Sequence, residues 1–205
     1  LISKNILILD DAVNLRDFKI KKKIKKKKNT IVYIGSFYSG KGLEIISSIA
    51  KKTSEFKFDL FGDVENLNIS NFKHKNLNFC GHISYNKIPE LLNKYEYAIM
   101  PYGKKVNVRS SNLDVSNTMS PLKMFDYLAS KKIIFASNLN VYKHILRNNY
   151  NCVLIKNNSV KNWIKIIRKT KNNTNLKRKL RLNAFKTAKK YSWDTRIKLI
   201  KQRLF

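Results

Sequence analysis

The chain has 205 residues and a mass of 24.0 kDa, enough to bury one good core as one large domain or one domain with appendages. Its 43% hydrophobic and 11% aromatic content excludes wholesale disorder, and no run approaches the roughly 18 apolar residues of a membrane span. The formal net charge of +30 invites a nucleic-acid or anionic-membrane partner. The basic residues are spread along the chain, however, and the excess of Lys, Asn and Ile is what an AT-rich genome writes into any protein. No specific nucleic acid is expected.

No signal-peptide pattern opens the chain, and Leu1 stands in place of an initiator Met, so the sequence reads as part of a longer polypeptide. Residues 1–29 read as the remnant of an inter-domain linker, the apolar run NILILDDAVNL followed by the block KIKKKIKKKK at 19–28. Such a block predicts a solvated segment. From residue 30 the pattern becomes regular. Apolar runs suited to buried strands lie at 30–34, 56–61, 77–80, 97–100, 133–136 and 152–155. Helix-period segments alternate with them at 42–51, 85–94, 121–130, 141–146 and 160–171. Ser120 suits an N-cap and Pro121 a first helical turn. This alternation predicts an α/β fold over residues 30–172, a Rossmann-like parallel sheet with helices on both faces. Residues 173–205 carry no strand-like run and predict a tail of one or two basic C-terminal helices. Cys80 and Cys152 sit in apolar stretches and are expected to be buried free thiols in a reducing compartment. Trp163 and Trp193, at helical spacing, are expected in the core.

Ligands of such sheets bind beyond the carboxyl ends of the strands, which directs attention to the turns at 35–41, 62–64, 81–85, 101–121 and 137–141. The first reads GSFYSGKG. Gly35 lets the chain leave a strand sharply, Gly40 and Gly42 let backbone approach a bulky anion, and Lys41 brings a charge to a helix start already favourable to phosphate. From Gly35 to Lys41 the spacing is that of a P-loop, but Gly42 stands where a hydrolase needs Ser or Thr for Mg²⁺. Only Asp63, after Gly62, offers an acidic strand end. A diphosphate cradle is one reading; a glycine turn with a solvated lysine is the other.

The second candidate is the helix start at 120–123. There Ser120, Leu122 and Lys123 would present backbone N–H groups to a phosphate. Asp126, a turn and a half further on, could accept hydrogen bonds from a vicinal diol such as a ribose, or could be a plain surface carboxylate between Lys123 and Lys131. His74, His82 and His144 show no metal-ligand spacing, so no metal is expected; His82 reads as a turn residue. Arg109, Ser110 and Ser111 lie in the long loop and could meet a sugar or an acceptor.

In order along the chain, IGSFYSGKG, FDLFGD, NLNFCGHIS, YEYAIMPY, SPLKMFDYLASKKIIFASNLNVYKHIL and YSWDTRIKLI resemble the C-terminal, donor-binding half of GT-B glycosyltransferases. The resemblance is to the large retaining glycosyltransferase family 4, the glycosyl transferases group 1. It implies binding of a nucleotide-sugar donor with no metal or other cofactor. It also implies retaining transfer, of hexosyltransferase type, to a glycan or lipid-linked acceptor in bacterial polysaccharide biosynthesis. The implied location is cytoplasmic, with peripheral contact at an anionic inner-membrane face, and the acceptor half would lie N-terminal to this chain. Residue by residue, Lys41 would bind the diphosphate and Asp126 the ribose, the two catalytic nominations. Gly35, Ser36, Gly62, Ser120, Pro121, Leu122 and Lys123 would complete the donor site. The chain departs from the family pattern at Ser36, where many members carry Arg, and at Asp126, one methylene shorter than Glu. Thr118 replaces the first glutamate of the paired motif, with Asp114 near but out of register, and Lys131-Lys132 replace a Gly-Lys/Pro turn. The rival readings are a non-catalytic basic binding module for nucleic acid or anionic membrane, and a P-loop hydrolase.

Overall fold

The computed structural model describes residues 8–19, 24–65, 67–108 and 113–204. Six strands form one sheet: β1 (Thr30–Ile34), β2 (Lys57–Phe61), β3 (Leu77–Phe79), β4 (Tyr97–Met100), β5 (Ile133–Ser137) and β6 (Val153–Ile155). Every pairing is parallel, and the order is β3-β2-β1-β4-β5-β6. The helices are α1 (Leu43–Lys51), α2 (Ile88–Asn93), α3 (Leu122–Ala129), α4 (Val160–Lys171), α5 (Thr174–Lys190) and α6 (Trp193–Leu204). The Rossmann-like α/β architecture expected from the alternating pattern is the one observed.

The strand sequences explain the layering. Successive strand side chains point to opposite faces, and the core divides accordingly. Val32, Ile34, Ala98, Met100, Ile134 and Ala136 pack with α2, α3 and α5 on one face. Their neighbours Ile31, Tyr33, Tyr97, Ile99, Ile133 and Phe135 pack with α1 and α4 on the other. Strands buried on both sides read as near-continuous apolar runs, as β1, β4 and β5 do, with only Thr30 and Ser137 at their ends polar.

Four local expectations are corrected. The segment 141–146 forms only a 3-10 turn, Asn140–Tyr142, because the Tyr142 hydroxyl donates to the Ser137 carbonyl and pulls the chain back onto the strand end. The segment 85–94 divides into a 3-10 turn (Tyr85–Lys87) and the short α2, with Pro89 in its first turn. Cys80 and Trp193 are exposed, whereas Cys152 and Trp163 are buried. Part of the lysine block is docked rather than solvated. Lys27 Nζ bonds Asp59 Oδ2 at 2.6 Å, and Lys26 Nζ binds the Asn93 carbonyl and, at 2.8 Å, its side-chain oxygen. Asp59 lies inside β2 and is buried, so its carboxylate needs a cation as well as the bonds it accepts from Tyr95 and Asn78.

The sheet opens at its centre. β1 pairs with β2 over five positions but with β4 over only two, Ile31↔Tyr97 and Val32↔Ala98. Beyond these the two strands part, and the amide of Ile34 donates instead to the Tyr127 hydroxyl of α3, at 2.9 Å. A buried N–H requires an acceptor, and this one binds α3 to the split. The crevice so formed is the switch point, where the strand order reverses.

Candidate functional site

Four turns meet at the crevice with little space between their backbones. Gly42 has φ 92°, and a Cβ there would stand 2.1 Å from the Pro101 carbonyl oxygen. At Gly62 a Cβ would stand 2.2 Å from the Gly35 carbonyl oxygen. The long loop after β4 is held by its own bonds: Gly103 N donates to Gly40 O at 2.9 Å and Asn107 N to Ser39 O at 3.2 Å. Asp114 Oδ1 accepts from Val106 N and Ser116 N, at 3.0 and 2.9 Å. These backbone donors hold the Asp114 carboxyl below its ordinary range and give it a place in the loop's scaffold.

The N-terminus of α3 points into this crevice. Pro121, not Ser120, is its N-cap, and no side chain caps it. Ser120 Oγ instead accepts from the amide of Asp11, at 3.3 Å. The first amides of the helix, at Leu122 and Lys123, thus sit where an intrahelical acceptor is lacking. The Leu122 side chain is exposed.

Lys123 brings more than its amide. Its Nζ is buried with no hydrogen-bond partner among the described residues and lies 3.9 Å from the centroid of the Tyr33 ring and 5.5 Å from that of Tyr102. Lys41 Nζ lies 5.4 Å from the centroid of the same Tyr102 ring, so the two ammonium groups share one aromatic neighbour. Gly35, at φ 144°, makes room for this arrangement: a Cβ there would fall 2.2 Å from Lys123 Nζ. The Tyr33 hydroxyl donates to the Ser36 carbonyl at 2.7 Å, fixing the ring under the ammonium. Burial, and then the Lys41 charge, push Lys123 well below the usual lysine range; burial lowers Lys41 as well. Cation–π contact recovers part of the lost hydration but supplies no counter-charge.

Asp126 is buried, which excludes the surface-carboxylate reading. Burial raises its carboxyl to about 7, against the lowering influence of the Tyr85 hydroxyl and of Lys123. The hydroxyl donates to Asp126 Oδ1 at 3.4 Å. A carboxyl raised on folding binds its proton more tightly in the native state, so stability falls as pH rises from the unfolded value of 3.8 toward about 7. The Asp126→Asn variant is expected to lose this slope. Denaturant titration should find it more stable than the parent at about pH 8 and nearly equal at about pH 4.

The structure thus brings Gly35, Ser36, Lys41, Gly62, Ser120, Pro121, Leu122, Lys123 and Asp126 to one edge of the sheet. Ser36 contributes its carbonyl and Ser120 its hydroxyl to internal bonds. Arg109, Ser110 and Ser111 lie outside the described residues. His82 is exposed, His74 bonds Ser47 and His144 bonds Asp10. Among the described residues no three His, Cys, Asp or Glu side chains form a potential metal-binding group. Sequence reasoning missed three contributors. The ammonium of Lys123, the Tyr33–Tyr102 aromatic floor and the Tyr85 contact to Asp126 were all absent from it.

A doubly wound parallel sheet with a cationic switch-point crevice defines a class of nucleotide-binding folds. The profile of Glycosyl transferases group 1 matches residues 16–187, and the chain belongs to that family. No curated protein matches the sequence. A glycosyltransferase from Rickettsia africae superposes with a TM-score of 0.72 at 16% identity, over 95% of this chain and 56% of its own. HepE of Anabaena, in complex with UDP and glucose, gives 0.72 at 13% identity, over 94% and 55%. The C-terminal domain of a group 1 glycosyl transferase, LpcC from Francisella tularensis, gives 0.66 at 16% identity, over 89% and 100%. These likenesses establish the GT-B-type fold. The chain spans little more than half the length of the first two relatives.

Proposed function

We propose that the chain is the nucleotide-sugar-binding half of a retaining glycosyltransferase of family 4, C-terminal in its parent protein. One observation carries the reading: the ammonium of Lys123, buried with no hydrogen-bond partner among the described residues, stands beside Lys41 at the N-terminus of α3 in the switch-point crevice, where the raised carboxyl of Asp126 offsets its charge only in part. A nucleoside diphosphate would supply the further negative charge. As the bond between sugar and phosphate breaks, negative charge grows on the leaving diphosphate. Lys41, Lys123 and the first amides of α3 are placed to stabilise that charge, in the role a metal ion fills elsewhere. Asp126, beneath Tyr85, would receive the ribose diol. The family resemblance supports retention, with the donor phosphate assisting the incoming hydroxyl, and a glycan or lipid-linked cell-envelope acceptor at the inner membrane face. The acceptor groups would come from the other half of the enzyme. UDP and glucose in the HepE neighbour support a nucleotide-sugar donor.

Two residues weigh against the P-loop alternative. Gly42 has no space for the hydroxyl-bearing side chain, and Asp63 accepts from its own turn at Glu65 N, 2.9 Å away. Calorimetric titration with UDP and GDP tests the donor proposal. At least one should bind, unaffected by EDTA, and Lys41→Ala should weaken it about 10- to 100-fold, the loss of one charge-assisted contact. Negligible binding of both nucleotides, unchanged in Lys41→Ala, would overturn it.

A further inference from the structure

At the opposite pole of the sheet, where the strands begin, a second cationic hollow has no assigned role. Its volume is about 290 Å³, and its walls carry Lys26, Lys27, Lys28, Lys131, Lys132 and Arg181. The topology explains the gathering. Lys28 precedes β1, Lys132 precedes β5, and α2 and α3 end here with their C-terminal carbonyls, which attract cations. Lys132 Nζ accordingly donates to the carbonyls of Leu92 and Tyr95, at 2.8 and 2.7 Å. Carbonyl dipoles neutralise only a fraction of this charge. The hollow's one carboxylate, Glu96, is engaged by Lys177 at 3.5 Å, and the nearby Asp59 is taken by Lys27. Lys26, Lys28, Lys131, Lys132 and Arg181 therefore face the hollow with no carboxylate within ion-pair distance among the described residues.

Three further observations favour an anion at this hollow. Lys131 holds φ 55° at the end of α3, a left-handed position that favours glycine, so a long cation stands where the backbone would accept no side chain more readily. Ser130 Oγ, which lines the hollow, is buried without a hydrogen-bond partner among the described residues. Burial first, and then the charges of Lys26 and Arg181, push Lys132 down to about 7, against the opposing influence of Glu96. A second hollow of about 280 Å³ adjoins the first, sharing Asn93, Ser130 and Lys131, and is lined by Leu15, Phe18, Pro89 and Phe185.

We infer that the amino-edge hollow is a binding site for a phosphate-bearing anion, separate from the switch-point crevice, with Lys131, Arg181 and Ser130 as its contacts. The anion reaches it either as a soluble phosphate compound or as a lipid headgroup whose apolar part lies in the adjoining hollow. The site stands whether or not the donor proposal does.

Residue-resolved NMR separates the two poles. Inorganic pyrophosphate titrated into the ¹⁵N-labelled chain should shift the amides of Lys28, Ser130, Lys131 and Arg181 in a saturable manner. The double variant Lys131→Asn/Arg181→Ala should lose these shifts while its other amide resonances keep the parent's positions and dispersion, which reports that it is folded; Asn tolerates the left-handed backbone. Shifts confined to the switch-point pole, or amino-edge shifts that survive in the double variant, overturn the inference. Sedimentation with phosphatidylcholine vesicles, with and without phosphatidylglycerol, identifies the source. A lipid source predicts at least tenfold weaker binding to the anionic vesicles for Lys131→Asn/Arg181→Ala than for Lys73→Ala/Lys161→Ala, which removes equal charge elsewhere. Equal binding of the two variants assigns the NMR-detected site to a soluble phosphate.

Discussion

Replacing Lys123 with methionine makes the chain more stable and removes its affinity for a nucleoside diphosphate. The two effects have one cause. The ammonium is buried with no hydrogen bond among the described residues, and burial first, then the nearby cation Lys41, disfavour its charge. Exchanging a buried ionic group for an apolar side chain of similar length is neutral to stabilising, by about 1–4 kcal/mol. Binding moves the other way, because truncating one partner of a buried charge pair costs about 2–5 kcal/mol, or roughly 30- to several-thousand-fold in Kd. The pH dependence carries the same signature. The folded pKa of Lys123 lies below its unfolded value of 10.5, so the unfolded chain binds the extra proton and stability rises with pH across that interval. Lys123→Met should flatten the rise. In the parent, a diphosphate restores the charge on Lys123, and calorimetry in buffers of differing ionisation enthalpy should detect proton uptake above its depressed pKa. A variant that is both less stable and unchanged in diphosphate affinity would contradict the assignment.

Gly42→Ser completes a P-loop signature in the sequence and is expected to damage the protein. The backbone at 42 has φ 92°, and a Cβ would meet the Pro101 carbonyl oxygen at 2.1 Å and the Pro101 ring at 2.6 Å. A non-glycine residue in so sparsely populated a conformation costs about 1–3 kcal/mol. The contact with main-chain atoms adds to this, since backbone cannot move aside as a flexible side chain can. The melting temperature should fall by about 8 °C or more, and no Mg²⁺-dependent nucleotide hydrolysis should appear. Gly35→Ala makes an instructive contrast, because its clash is with the mobile end of Lys123; it would displace the ammonium before it disrupted the fold.

The strands were legible because a sheet covered on both faces demands near-continuous apolar runs, and 31–34, 97–100 and 133–136 have them. Where a tyrosine hydroxyl redirected the chain, as Tyr142 does, helical periodicity misled. The docked half of the lysine block had a readable cause: Asp59 in the middle of KFDLF is an acid in a buried strand and requires a cationic partner. Lys123 was nominated for its amide, yet helix side chains lean toward the N-terminus. A lysine at the second helical position therefore carries its ammonium past the helix start. Tyr85 has no such signal; it reaches Asp126 across 41 positions, a proximity that only the fold creates.

The early parting of β1 and β4 bears on how the crevice is ready to act. Because the Ile34 amide is satisfied by the Tyr127 hydroxyl, the split is no frayed edge waiting for a ligand to fill its hydrogen bonds. Opening is written into the resting chain. An entering anion meets charges and amides already in position, so its binding energy is not consumed in arranging them.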